Sequence, residues 1–342
     1  MKEKVLDALK QVFYPGKTHS VVKEGIIDDV EIQESKVIVK IKTAEKNQGV
    51  IDMLKRSIPA ALKRLEGIED VELEIEKIVE IKEKVSNIKY VIATTSGKGG
   101  VGKSTVSVNI AISLSKLGFK TGLLDADIYG PNIPTMMGIE GVPIQLDKEH
   151  KDKILPTEKY GIKVLSIGNM VPKDAAIIWR GALITSAIKQ FLNDVTWGDL
   201  DFLVVDLPPG TGDAQLTLAQ EAKVSGGIIV ITPQHVAMSD AAKANDFFKK
   251  LKIPVLGLIE NMSYFVCPNC GERYEIFSHG GGKQFAAKNS LPFLGEIPID
   301  LEVREGGDTG KPIVISNPNS LVSKAFEDAA RNIIDKVKVL NS

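Results

Sequence analysis

The sequence predicts an α/β protein: a mainly parallel sheet with helices on both faces, preceded by a small α+β domain. Three observations carry that expectation. From Tyr90 onward short β-branched runs recur, YVIATTS, TGLLDAD, IKVLSIGN, DFLVVDLPP, GGIIVITP, PVLGLIEN and PFLGEIP, with helical stretches between them. The runs are almost continuously apolar, as strands buried on both faces are, and strand–helix alternation favours parallel order. Nearer the N-terminus the strands instead alternate apolar and charged residues, the mark of a sheet with one wet face.

Taken in order, Lys2–Phe13 gathers Val5, Leu6, Leu9, Val12 and Phe13 on one helical face. Gly25–Glu34 and Lys36–Thr43 read as paired strands, the second setting Val37, Val39 and Ile41 against Lys36, Lys40 and Lys42. Gly49–Glu66 is a second amphipathic helix, with Pro59 a candidate kink, and Val71–Val79 alternates again. Residues 1–82 therefore form one domain, the charged and weakly patterned 83–89 a linker, and 90–342 the larger domain.

A chain of 342 residues is long enough for two cores. Its formal charge of −1 supplies no electrostatic reason to expect nucleic acid or an anionic membrane as partner. No apolar run approaches the ~20 residues that span a bilayer, and the charged start is no signal peptide. Only two cysteines are present, too few for a disulfide framework. The expectation is a cytoplasmic protein without nucleic acid or membrane as partner.

Residues 97–104, GKGGVGKS, follow the strand YVIATTS and open the helix TVSVNIAISLSKLG, the strand–loop–helix setting of a P-loop. Gly97, Gly99, Gly100 and Gly102 let the backbone turn and aim N–H groups at phosphate oxygens, and the helix N-terminus adds its positive end. Lys103 would bridge the β- and γ-phosphates and Ser104 would ligate Mg²⁺, with Val101 and Thr105 completing the loop. The second lysine, Lys98, makes the loop resemble the deviant P-loop of MinD/ParA-type ATPases. That resemblance implies ATP held between two protomers, with Lys98 supplying charge to the transition state in the partner's site.

LLDADIYGPNIP places Asp125 and Asp127 at the carboxyl end of the second strand of the larger domain. In the resembled family the second aspartate orients the attacking water and the first lies near the metal. FLVVDLPPGTGD ends an apolar strand in Asp206, the expected Mg²⁺ carboxylate; Pro208, Pro209, Gly210 and Gly212 then form a stiff turn, and Asp213 caps the next helix. The resemblance also implies that Asn261 meets the adenine and that Pro298 and Asp300 belong to the base-side loop.

VCPNCGERY holds both cysteines, Cys267 and Cys270, in a C-x-x-C turn that Gly271 lets close tightly. A complete tetrahedral thiolate site wants four ligands, and a zinc ribbon shows two such turns. His279 is a weak candidate for a third ligand. Two protomers meeting across their nucleotide faces would bring two pairs together on a twofold axis. Four thiolates suit Zn²⁺ or an iron–sulfur cluster.

KGGVGKST, DADIYGPNIP, WRG at 179–181, DLPPGTGD, TPQ at 232–234, ENMSYFVCPNCG and GGG at 280–282 together resemble the Mrp/ApbC/NBP35 group of iron–sulfur cluster carrier ATPases over residues 85–335. Residues 1–80 resemble the MIP18-like domain often fused in front, though this copy has no cysteine. The resemblance implies a P-loop NTPase homodimer that hydrolyses ATP and holds a labile [4Fe–4S] cluster on Cys267 and Cys270 of both chains. It would deliver that cluster to apo iron–sulfur proteins, with Zn²⁺ a possible substitute. Two alternatives stay open: a MinD/ParA-like positioning ATPase, and an ATPase with a purely structural zinc between subunits. A nickel or other metal insertase would show histidine-rich tracts, and only four histidines are scattered here.

Overall fold

The computed structural model describes residues 2–340 except 16–18, 34, 44–46, 78–85, 129, 150–152, 170–180, 211, 213–214, 217–223 and 279. It divides into two compact units, Met1–Glu83 and Lys84–Ser342.

In the first unit helix α1 (Lys2–Lys10) precedes strands β1 (Ile27–Gln33) and β2 (Lys36–Thr43), helix α2 (Gln48–Leu62) and strand β3 (Asp70–Lys77). The sheet order is β1-β2-β3, antiparallel then parallel. The inward residues Val37, Val39 and Ile41 meet Val5 and Leu9 of α1 and Leu54, Ile58 and Leu62 of α2 in one core. On the wet face Lys36, Lys40 and Lys42 of β2 pair with Glu72, Glu31 and Asp28 respectively. Asn47 caps α2 by accepting from the N–H of Gly49 at 2.9 Å. The helix runs through Pro59, whose own carbonyl accepts from Lys63 N–H, so no break occurs there.

The second unit begins earlier than Tyr90. Strand β4 (Ser86–Thr95) already pairs at Ser86 with Gly198, so residues 86–89 of the expected linker are sheet. Residues 83–85 of that linker lie outside the described residues. Next come helix α3 (Lys103–Lys116), strand β5 (Thr121–Asp125), helix α4 (Ile133–Met137) and the short strands β6 (Gln145–Leu146), β7 (Ile154–Leu155) and β8 (Thr157–Lys159). Strand β9 (Ile162–Ser166), helix α5 (Gly181–Asn193), strands β10 (Gly198–Asp206) and β11 (Val224–Ile231) and helix α6 (His235–Lys250) follow. The chain then forms strands β12 (Val255–Val266) and β13 (Arg273–Tyr274), helix α7 (Gly281–Lys288) and strand β14 (Phe293–Ile299). Helices α8 (Leu301–Thr309), α9 (Ile313–Ser316) and α10 (Leu321–Leu340) end it.

Among the described residues the main sheet has nine strands in the order β13-β12-β11-β4-β10-β5-β9-β8, with β14 also pairing β12. Only the edge pairs β12–β13 and β8–β9 are antiparallel. Neighbouring residues in each central strand feed opposite cores. Leu123, Val204 and Ile228 pack under α3 and α10, while Leu124, Leu203 and Ile229 pack under α5 and α6. That is why these strands read as unbroken apolar runs. Helix α10 spends its apolar stripe on this core: Val322, Phe326, Ala329, Ile333 and Val337 are all buried. No described helix is long and apolar enough to cross a membrane. The loop after β4, the central strand, thus opens at the carboxyl edge where such sheets place ligands.

Candidate functional site

The P-loop joins β4 to α3, and Gly102 is the helix N-cap at φ +80°. A side chain at Gly102 is doubly excluded: the backbone is left-handed, and a Cβ would stand 2.1 Å from Asn261 Nδ2. Above the loop lies a cleft of about 380 Å³, lined among others by Gly99, Gly100, Gly102, Lys103, Ser104, Thr105, Asp127 and Pro209. A larger hollow of about 530 Å³ opens at the amino ends of β5, β9 and β10, where Lys120, Lys159 and Lys163 mix with Glu158 and Asp199. None of the sequence motifs reaches it.

Register builds the charged floor of the cleft. Asp206 ends β10 level with Asp125 on β5 and Thr94 on β4. Asp206 is fully buried; its Oδ2 accepts from Lys103 Nζ at 2.7 Å and Ser104 Oγ at 2.6 Å, and its Oδ1 accepts from Ser107 Oγ at 2.7 Å. Lys103 also lies 3.4 Å from Asp127 Oδ2. Burial works against the Lys103 charge, yet Asp206 and Asp127 outweigh it and hold the ammonium above the usual lysine range. One lysine therefore faces three carboxylates.

The third carboxylate, Asp125, lies one strand further in. Its Oδ1 accepts from the N–H of Asp127 at 3.1 Å and its Oδ2 from Ser166 Oγ at 2.8 Å. Burial, then the neighbouring Asp206, push its pKa up to about 8. Burial raises Asp127 as well, opposed chiefly by Lys103. The cluster thus carries more negative charge than Lys103 neutralises, and its outward donors are all oxygen. That set fits a hard divalent cation such as Mg²⁺.

The other expected residues are placed less directly. Lys98 Nζ lies 3.4 Å from Gln234 Oε1, the last residue of TPQ. Asn261 is buried beneath the loop and donates from Nδ2 to Val101 O at 2.9 Å. Pro298 is buried within β14. Asp300 caps α8, accepting from Glu302 N–H at 2.8 Å. None of these last three is among the described residues that line the cleft. Asp213, His279 and the Trp179–Arg180 pair lie outside the described residues.

Sequence reading missed three participants. Ser107 sits one turn after Lys103 on the same helical face, a spacing visible in the chain. Ser166 reaches Asp125 only because β9 lies beside β5. Gln215 clamps the turn after Asp206, donating to Pro208 O at 2.7 Å and Gly210 O at 3.0 Å and accepting from Gly212 N–H at 2.9 Å.

Both cysteines are free and lie just beyond β12, Cys267 half-buried and Cys270 exposed. The turn is closed by Cys267 N–H to Glu272 O at 2.9 Å and Gly271 N–H to Cys267 O at 2.8 Å. The backbone N–H of Cys270, then that of Asn269, then the Cys270 thiol, lower the Cys267 pKa by hydrogen bonding its thiolate. Arg273 stacks over the Tyr264 ring at 3.7 Å and supports the hairpin. Among the described residues no third His, Cys, Asp or Glu joins the two thiols in a group able to hold a metal.

Comparison with known proteins agrees with this geometry. Residues 87–334 match the family model of the ParA type described as the NUBPL iron-transfer P-loop NTPase, and residues 2–75 match that of an iron–sulfur cluster assembly protein. The chain is 53% identical to the iron–sulfur cluster carrier protein of Aquifex aeolicus, over 73% of this chain and 68% of that one. It is 41% identical to the Helicobacter pylori protein of the same name, over 98% and 94% of the two chains. Among solved structures, a nucleotide-binding protein from Archaeoglobus fulgidus in complex with ADP superposes at a TM-score of 0.60 with 41% identity, covering 68% of this chain and 90% of that one.

Proposed function

Because the chain belongs to the family of iron-transfer P-loop NTPases, we propose that it is a cytoplasmic iron–sulfur cluster carrier. It binds and hydrolyses ATP and passes a labile [4Fe–4S] cluster, held between two protomers by Cys267 and Cys270 of each, to apo-proteins. The observation that carries this reading is the knuckle itself: two free thiols, one with its pKa lowered, at the end of the strand whose Asn261 touches the P-loop. Two thiols are half of a four-thiolate site, and a second copy supplies the rest.

The phosphate chemistry follows from the cleft. ATP phosphates lie on the loop amides, and Lys103 exchanges its carboxylate partners for phosphate oxygens. Ser104 and Asp206 would hold Mg²⁺, which would supply positive charge for the transferring phosphoryl group, with Asp125 behind them. Asp127 accepts a hydrogen bond from the water that attacks the γ-phosphorus as ADP leaves, and Lys98 reaches the partner's nucleotide. Turnover is slow because it is tied to cluster release. A cluster shared across a symmetric contact is labile by construction, since parting the protomers removes half its ligands together.

The test is anaerobic purification and reconstitution, with iron, sulfide and zinc analysis and sedimentation with and without nucleotide. The expected result is about four irons and four sulfides per dimer, lost in Cys267→Ser and Cys270→Ser, with transfer of the cluster to an apo-acceptor. Stoichiometric zinc without sulfide would support the structural-zinc alternative, and salt-sensitive DNA binding without metal would support the positioning ATPase.

A further inference from the structure

Between the P-loop and the cysteine knuckle, strand β12 is not regular. Its ladder to β14 pairs Asn261 with Ile297 and Phe265 with Ile299, so Met262–Tyr264 oppose the single residue Pro298. Proline has no N–H to offer a ladder, which lets the bulge form there. Met262 within the bulge adopts φ +57°, a left-handed conformation that costs a non-glycine residue energy.

The strand is held on both of its faces just before that strained residue. On one side Asn261 donates to Val101 O, and the Gly102 backbone is packed against the Asn261 amide and within reach of Met262 Cε. On the other, Glu260 is a fully buried carboxylate that no step of the phosphate chemistry uses. Its Oε1 accepts from Ser263 Oγ at 2.6 Å, across the bulge, and its Oε2 accepts from the N–H of Gly282 at 2.5 Å. Gly282 lies in the first turn of α7, whose positive end favours an anion. A Cβ on Gly282 would stand 2.6 Å from that oxygen, so a larger residue there would push the carboxylate aside.

We propose that Glu260 is a positioning residue that couples the P-loop to the cysteine knuckle by holding the Met262 bulge in its strained form. Phosphate binding draws on the amides of the loop to which Asn261 is tied. A displacement of Val101 and Gly102 therefore bears on Asn261 and Met262, and the chain passes it to Cys267 five residues on. Glu260 supplies the fixed point: with Ser263 and α7 clamped, the bulge moves between two arrangements rather than absorbing the shift in many small ones. The inference deepens the carrier reading, and its test does not depend on a bound cluster.

The experiment is alkylation of the metal-free, fully reduced protein by iodoacetamide. It is run with and without Mg²⁺ and a non-hydrolysable ATP analogue, at concentrations where sedimentation shows a monomer. Cys267 and Cys270 are the only cysteines, so the rate reports the knuckle alone. In the wild type, nucleotide changes the rate by about fivefold or more, a usual size for coupling between sites. In Glu260→Gln the side chain keeps its volume but turns an N–H₂ group toward Gly282 N–H or Ser263. That protein still binds the nucleotide analogue, and the response collapses toward no change. Met262→Gly, which removes the strain without touching the carboxylate, loses the response too and keeps the test independent of whether Glu260→Gln folds. A Glu260→Gln protein that melts lower but keeps the wild-type response overturns the proposal, as does a wild type whose thiols ignore nucleotide. Failure of the carrier reading is seen separately, as a reconstituted protein without iron and sulfide whose thiols still answer to nucleotide through Glu260.

Discussion

Replacing Gly102 by alanine tests how the P-loop is supported. The new Cβ falls 2.1 Å from Asn261 Nδ2, and the backbone there stays at φ +80°. Two costs follow. Holding alanine in the left-handed region costs roughly 1–2 kcal/mol. Asn261 must also swing away from Val101 O, leaving a buried amide and carbonyl unpaired, at about 1–3 kcal/mol. Together they destabilise the second unit by roughly 2–5 kcal/mol, lowering its melting temperature by roughly 4–20 °C. Both tryptophans, Trp179 and Trp197, lie in this unit, so denaturation followed by tryptophan fluorescence reports it alone. Adding Asn261→Ala opens the space, so the double variant is less destabilised than the sum of the single ones, by about 1–3 kcal/mol. Strict additivity, or a Gly102→Ala protein as stable as the wild type, would refute the reasoning.

Lys103→Ala leaves three neighbouring carboxylates without their cation. Hydrolysis falls to background in a phosphate-release assay, and the nucleotide-free protein loses about 3–5 kcal/mol in denaturant unfolding. Stability should also depend on pH through Asp125, whose pKa rises from the ordinary 3.8 to about 8 on folding. The folded state binds that proton more tightly. Its stabilisation is therefore complete below about pH 4 and is lost as pH rises through about 8. Asp125→Asn, measured without nucleotide and with chelator, flattens this fall and is the more stable protein at pH 9; parallel curves would contradict it. Finally, the pH–rate profile for alkylation of Cys267, resolved by peptide mass spectrometry, has its midpoint below that of an unperturbed thiol.

Strand β12 is the longest of the described strands. Its buried middle belongs to the sheet, Asn261 touches the loop, and the cysteines follow just beyond its half-buried end. Helix α10 illustrates the opposite economy. Its apolar stripe goes into packing, with Phe326 and Ile333 buried against the sheet.

The chain alone determined the α/β class, the positions of the main strands along the sequence and the identity of the P-loop, because each is written in short windows. Apolar runs report strands buried on two faces, and GKGGVGKS reports its own turn and helix start. The cysteine pair was legible for the same reason. Tertiary structure alone decided which residues share a floor. Asp206, Asp125 and Ser166 meet because β10, β5 and β9 are adjacent and in register. It also placed Asn261 against the backbone of the loop, Pro298 within β14 and Asp300 at a helix N-cap. The bulge at Met262 and the buried carboxylate of Glu260 were invisible beforehand. Backbone strain and long-range hydrogen bonds depend on what packs across a strand, and no local window of residues encodes that.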